Sequence, residues 1–355
     1  MTTLLILVGG FLGAGKTTLL LSAARLLAAR GLQVGIVTND QGSDLVDTAL
    51  FGHEQFGVTE VAGGCFCCRF PDLLKALRTL QQTVDPDVIL AEPVGSCTDL
   101  LATVVRPLRQ EAGDRLRIAP LTVLLDPLRD QCRFAAEVDY LFERQLAEAD
   151  VVVITKQDLQ PAGSAARNAR SLALRHGADR VYSVSAATGA GVAAWLDFVM
   201  TTEGTAQRRL DIDYERYAAG EEALGWLNVD GVVTAGRAFS PSNWIRYLLQ
   251  MLDASLTTQG AEIAHVKVMA RTADVVFKAG MTQSCDPIRW DLLPADQQTT
   301  RLTFLLNARV QAPPAALESV VRSTLAELSP FPDFEIDFAR FDCFQPSAPR
   351  PTYRM

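Results

Sequence analysis

The sequence has 355 residues, 48% hydrophobic and 21% charged, with a formal net charge of -8. That is enough apolar material for two cores, and the acidic balance argues against a broad basic surface for nucleic acid. Its 7 cysteines are too few and too unevenly placed for a secreted disulfide framework, and no run reaches the roughly 18 apolar residues of a membrane span. The opening stretch MTTLLILVGGFLGA has the apolar heart of a signal peptide but no positive start. A cytoplasmic protein with neither nucleic-acid nor membrane partners is therefore expected.

Residues 4–8 form a short apolar run of the kind buried in a parallel sheet. Gly10-Phe11-Leu12-Gly13-Ala14-Gly15-Lys16-Thr17 follows, then a Leu/Ala-rich helix predicted over 18–30. Strand, glycine loop and helix together aim backbone N–H groups and the positive end of a helix dipole at a phosphate. In such a loop Gly10, Gly13, Ala14, Gly15 and Thr18 surround the phosphates. Lys16 reaches the β- and γ-phosphates, and the Thr17 hydroxyl ligates Mg²⁺. The expected ligand is a nucleoside triphosphate.

A second strand over 33–38 ends in Asn39-Asp40, before a polar stretch with Asp44, Asp47, His53 and Glu54 in the place of a mobile switch. Asp40 is either a carboxylate approaching the Mg²⁺ or a second metal, or a solvated loop residue. Next comes Gly63-Gly64-Cys65-Phe66-Cys67-Cys68-Arg69. Structural cysteines are usually scattered, and a disulfide between the adjacent Cys67 and Cys68 would be strained. Thiolates suit Zn²⁺, which takes four ligands in structural sites. Three are at hand, and a fourth from Cys97, Asp40, water or a partner would leave the site exchangeable. Redox sensing and inert packing are the alternatives.

An amphipathic helix is predicted over 71–82 and a buried strand over 87–91, ending in Glu92-Pro93-Val94-Gly95. An acid at that tip can act on the Mg²⁺ shell or orient water, or it is an ordinary loop carboxylate. Strands follow over 121–125 and 151–154, the latter running into Thr155-Lys156-Gln157-Asp158. Guanine offers N1–H and N2–H₂ together, which one carboxylate accepts, and adenine offers no such pair. Asp158 suits that role, with the Lys156 stem over the base and Ser185-Ala186 backing it, so GTP is expected over ATP. K-x-D alone is weak; its place after a strand and downstream of the phosphate loop strengthens it.

Alternating strand and helix predict an α/β, doubly wound, mainly parallel sheet of P-loop NTPase type over 1–202. The polar segment 203–222 reads as a linker. Residues 223–344 read as strand, helix, three strands, helix, strand, a smaller α+β domain of ferredoxin-like kind. Residues 345–355 read as a flexible tail.

GGFLGAGKTTLL, Asn39-Asp40, GGCFCCR followed by Asp72-Leu73, Glu92-x-x-Gly95 and TKQD stand in one order along the chain. In that order the chain resembles a CobW-like member of the P-loop metallochaperone GTPases, the family that also holds the urease and hydrogenase maturation GTPases. The match covers most of the chain, and the Cys-x-Cys-Cys box is its most specific part. The resemblance implies a slow GTPase that couples the GTP or GDP state to binding a transition metal, zinc or cobalt, and delivering it to a metal-dependent client protein. A homodimer is left open. It places Thr17 and Glu92 at the Mg²⁺ and Walker-B-like positions, with Lys16 and Asp40 beside them in catalysis. Cys65, Cys67 and Cys68 fall at the transferable-metal site. A GTP-gated zinc sensor with incidental hydrolysis is the alternative, and an ATP-dependent small-molecule kinase a third reading. There are departures. Thr155 stands where the family's guanine motif has Asn, losing an amide that can bridge base and phosphate loop, and Asp40 stands where Glu is more usual. Histidines are limited to His53, His176 and His265, which disfavours metal buffering. No residue stands out as an arginine finger, so slow turnover is expected.

Overall fold

The computed structural model describes residues 2–355 apart from 42–45, 55, 129–133, 160–163, 176, 178, 179, 205, 296 and 329–332. Asp44 and His176 lie outside the described residues, as does the side chain of His53.

The first unit runs β1 (Thr3–Gly10), α1 (Lys16–Ala29), β2 (Val34–Asn39), α2 (Val46–His53), β3 (Gly57–Val61), α3 (Phe70–Thr83) and β4 (Val88–Glu92). It continues with α4 (Arg106–Ala112), β5 (Leu116–Ile118), β6 (Thr122–Leu125), α5 (Ala136–Glu148), β7 (Val151–Ile154), α6 (Ser164–Arg175), β8 (Arg180–Ser183), α7 (Val192–Thr201) and α8 (Tyr214–Glu222). The strands form a parallel sheet in the order β3-β2-β4-β1-β6-β7-β8, with β5 also paired to β1. All of β1 is buried, because helices cover both faces. Leu5 and Leu7 enter the core beneath α3 and α5, while Leu4, Ile6 and Val8 enter the core beneath α1 and α7. Strand order departs in both directions from β1, so a crevice opens at its carboxyl end, where doubly wound sheets hold ligands.

The second unit runs β9 (Gly225–Phe239), α9 (Pro241–Thr258), β10 (Glu262–Arg271), β11 (Val276–Met281), β12 (Arg289–Leu292), β13 (Thr299–Gln311), α10 (Pro314–Glu327) and β14 (Phe334–Phe344). Its antiparallel sheet is ordered β12-β11-β10-β13-β9-β14. Without β11 and β12 this is the ferredoxin-like strand-helix-strand-strand-helix-strand order; those two strands extend the edge beside β10. The sequence reading missed β12, whose four residues RWDL carry no periodic signal. α9 begins where its sequence says: the Ser240 hydroxyl accepts from the Asn243 N–H at 3.1 Å, and Pro241 follows.

Three expectations change. The stretch read as a polar switch contains α2, whose Leu50 and Phe51 are fully buried. The segment read as a linker contains α8, capped by Asp213 and packed on α5 with Tyr217 and Glu221 buried. The segment read as a flexible tail is docked. The Thr352 N–H donates to the Cys67 carbonyl at 2.8 Å, Tyr353 packs edge-on to Phe70, and the Arg354 guanidinium meets Asp99 at 2.7 Å. Polar, proline-bearing composition suggested mobility, yet each of these side chains finds a partner far away in sequence. Among the described residues no helix is long and apolar enough to cross a membrane.

Candidate functional site

At the tip of β1 the chain turns through Gly10–Gly15 into α1. Lys16 is buried and folded back, its Nζ donating to the carbonyls of Gly10 at 2.9 Å and Phe11 at 3.4 Å. Burial lowers its pKa, with Glu92 opposing. Gly95 makes room for it: a Cβ there would sit 2.9 Å from Lys16 Nζ and 2.7 Å from Leu12. The Thr17 hydroxyl donates to Glu92 Oε1 at 3.1 Å, joining α1 to the end of β4. Burial, then Asp47, raises the pKa of Glu92, and its buried Oε2 has no hydrogen-bond partner among the described residues. A hydroxyl beside a carboxylate with one unsatisfied buried oxygen fits a hard divalent cation such as Mg²⁺.

On the other side of the crevice, Thr155 at the end of β7 is buried, and its hydroxyl donates to the Ala14 carbonyl at 2.9 Å. The bridge to the phosphate loop that the missing amide put in doubt is made by this shorter side chain directly to backbone. The Lys156 ammonium lies 2.6 Å from Asp126 and donates to the Thr282 hydroxyl at 2.9 Å. Asp158 is exposed on a turn over Gln157–Leu159, and the Gln157 N–H donates to the Val184 carbonyl, tying that turn to the Ser185-Ala186 loop. Lys16, Thr17, Glu92 and Lys156 wall one cavity; Asp158, Ser185 and Ala186 lie outside its walls. The structure thus gathers the residues expected at the phosphates and leaves Asp158, the carboxylate expected to read the base, exposed outside that cavity.

The cavity's roof comes from the second unit. β10 lies directly on the phosphate loop: Gly13 has φ 77°, and a Cβ there would approach the Ala264 carbonyl to 2.7 Å. Asp40 is held by Arg309 of β13, whose NH2 meets its carboxylate oxygens at 2.9 and 3.0 Å. That guanidinium is 0% exposed and lies over the Trp226 ring at 4.1 Å. A buried cation requires an anion. The carboxylate expected at a metal is thus engaged with the second unit. The same sheet face sends the Asn307 side chain to the Val46 N–H at 3.0 Å and Lys267 to Asp47 at 2.5 Å. Although burial opposes it, Lys267 and Lys278 hold the Asp47 carboxyl well below the ordinary range.

The cysteine box lies between β3 and α3. Cys68 and Arg69 both donate backbone N–H groups to the Cys65 carbonyl, so the box closes on itself as a turn. Cys65 Sγ stands 2.8 Å from Cys67 Sγ and 3.1 Å from Cys68 Sγ, with Cys67 and Cys68 3.8 Å apart. The buried Cys97 thiol joins them by hydrogen bonding with Cys65 and Cys67. Hydrogen bonding with Cys67, then with Cys68 and Cys97, draws the Cys65 thiol well below its usual range. The hydrogen bond with Cys65 pushes Cys67 up and Cys68 to about 11, and burial raises Cys97. Within the cluster Cys65 is thus the thiol that gives up its proton most readily, and its neighbours hold theirs more tightly. Soft donors so grouped suit zinc-like ions, and loading would expel those protons.

Asn39, at the end of β2, clamps the box. It donates to the carbonyls of Val61 and Gly64, both at 2.7 Å, and accepts from the Phe66 N–H at 2.8 Å. Residue 350 covers the outer side, its N–H donating to Cys68 Sγ at 3.1 Å. Glu221 is buried nearby, taking the Ser96 hydroxyl at 2.6 Å, and burial raises its carboxyl to about 8. Asn39 and Cys97 stood within segments already singled out; Glu221, Lys267 and Arg309 carry no local signal.

Residues 4–181 match the family described as CobW/HypB/UreG, nucleotide-binding domain. The zinc chaperone YeiR of Escherichia coli (strain K12) is 32% identical over 159 residues, 43% of this chain and 46% of that protein. The zinc chaperone CobW of Sinorhizobium sp is 30% identical over 180 residues, 42% of this chain and 49% of that protein. The chain spans about half the length of these relatives. Among solved structures, Zn(II)-bound YjiA GTPase from E. coli aligns over 92% of this chain and 99% of that one, with 17% identity and a TM-score of 0.36.

Proposed function

The chain belongs to the CobW/HypB/UreG family, and from that premise we infer that it is a GTP-hydrolysing metallochaperone. In this reading it binds zinc as cargo on the cysteine cluster and releases it to a client protein according to nucleotide state. One observation carries the reading: two short segments each touch both sites. Asn39 holds the cysteine box while its neighbour Asp40 lines the phosphate cavity. Glu92 meets Thr17 at the phosphate loop, and Cys97, on the same loop after β4, joins the thiols. A nucleotide that repositions either strand end moves a thiol or its support.

In this reading Lys16 leaves the Gly10 and Phe11 carbonyls to bind the β- and γ-phosphates. Asp158 reads the base, with Lys156, Ser185 and Ala186 around it, and Glu92 orients the attacking water. Thr17 and Glu92 hold Mg²⁺, which when bound supplies charge neutralisation at the phosphates. GTP and water become GDP and phosphate. Cys65, Cys67 and Cys68 take the zinc, with Cys97 as the fourth donor. The cover formed by 350–354 favours a second reading, a sensor that retains its zinc and docks a partner.

Zinc titrations against a chelating indicator, with GDP and with a non-hydrolysable GTP analogue, separate the two. Metal delivery expects the affinities to differ by about 5- to 150-fold, with the reciprocal effect of zinc on nucleotide affinity. Equal affinities, with a site that resists chelators, would leave a retained zinc and no delivery cycle. Lys16→Ala, unable to hold the phosphates, is the control that should erase the difference.

A further inference from the structure

A sheet face buried against another domain is ordinarily apolar, and the second unit's is not. Ile263, Val266, Val268 and Ala270 of β10 enter the core shared with α9 and α10, whereas His265 and Lys267 line the phosphate cavity. Lys278, opposite Met269 in the β10–β11 pairing, faces the same cavity and is 2% exposed. Buried charges need partners, and those here are incomplete. Among the described residues Asp47 is the ion-pair partner of Lys267 at 2.5 Å, and it is also 3.7 Å from Lys278, which meets Asp291 at 3.2 Å. Four buried polar atoms on this cavity lack any hydrogen-bond partner among the described residues: Asp47 Oδ1, Glu92 Oε2, His265 Nδ1 and Arg289 Nε. They come from both units, and one ligand lying between the two would meet them if it brought an anion to Arg289 Nε and a cation to the carboxylate oxygens.

We propose that the second unit completes the nucleotide site, with Lys267 leaving Asp47 to bind the terminal phosphate of a nucleoside triphosphate. This rests on the reading of the phosphate loop given under Proposed function. The Lys267 charge already disfavours the charged form of Lys16 and favours that of Glu92, as expected for groups converging on one small volume. A triphosphate beside Lys16 offers Lys267 a stronger anion than one carboxylate, and a diphosphate lacks the group that would reach it. Exchange of Lys267 from Asp47 also removes one of the ties that hold α2 to the second unit, leaving the bond between the Val46 N–H and Asn307. The cation that no sequence motif announced is thus supplied in cis by the sheet.

The test compares wild type, Lys267→Met, Lys267→Arg and the double variant Asp47→Asn/Lys267→Met, in which no carboxylate is left unpaired should the single variant fold poorly. Each is titrated with GDP and with a non-hydrolysable GTP analogue, and kcat and KM are measured. In Lys267→Met and the double variant, triphosphate affinity should fall about ten- to a hundredfold, as for loss of a hydrogen bond to a charged group, while GDP affinity stays within about twofold. Lys267→Arg should recover most of the triphosphate preference. Equal losses for GDP and the triphosphate, or none for either, would overturn the assignment of Lys267. Wild type that binds neither nucleotide would instead overturn the phosphate-loop reading beneath it.

Discussion

Asp40→Asn tests how firmly the second unit is fastened to the first. Arg309 is 0% exposed and spends its NH1 on the Leu227 and Ala308 carbonyls, its NH2 on Asn228 and both oxygens of Asp40. Asp40 is its ion-pair partner, with a side chain 17% exposed. Removing one member of a buried pair costs about 3–5 kcal/mol, because the other charge stays buried and unanswered. Asparagine retains one acceptor, and the Trp226 face still meets the guanidinium, so the lower end of that range applies, about 3 kcal/mol. Arg309→Met should cost less through charge, since Asp40 reaches water, and Asp40→Asn/Arg309→Met should be more stable than the sum of the single losses predicts. Urea denaturation followed by tryptophan fluorescence reads this as a lower midpoint at unchanged slope. A loss below about 0.5 kcal/mol for Asp40→Asn, or strict additivity in the cycle, would show that the pair does not fasten the units.

Asp158→Asn should erode preference for GTP over ATP by about 1.5–3 kcal/mol, the worth of a hydrogen bond to a charged group. Equal affinities for the two nucleotides in unmodified protein, by competition titration, would end the guanine assignment. Burial raises the Glu148 carboxyl from 4.5 to about 8, so folded protein keeps a proton that the unfolded chain releases. That stabilisation is full below the unfolded value and is lost as pH rises through the folded one, with a slope near 1.4 kcal/mol per pH unit between them. Glu148→Gln can still serve the Thr98 hydroxyl and the Leu101 N–H, and should flatten that slope between about pH 5 and pH 8. Denaturation midpoints that keep the wild-type pH dependence would exclude Glu148 as its source.

What could be read from the sequence alone was local in origin. The phosphate loop is a contiguous run whose glycines, lysine and threonine act on one another within two turns of chain. The cysteine box closes through bonds among residues 65–69. Buried strands announce themselves as apolar runs because both faces of the parallel sheet are covered, and the ferredoxin-like order shows in the succession of strand and helix. Where partners are remote, sequence has no periodicity to offer. Asp40 and Arg309 are 269 positions apart, and Lys267 and Asp47 220. Short-range reading saw in Asp40 either a carboxylate near a metal or a solvated loop residue, and gave no role to the two basic residues in strands. The segments read as linker and tail are polar because each lays one side on the first unit and shows the other to water, a pattern their short lengths do not resolve. Only the docking of the second sheet decided that the cavity at the phosphate loop has a charged roof, since that roof is assembled from strands far along the chain from the residues they meet.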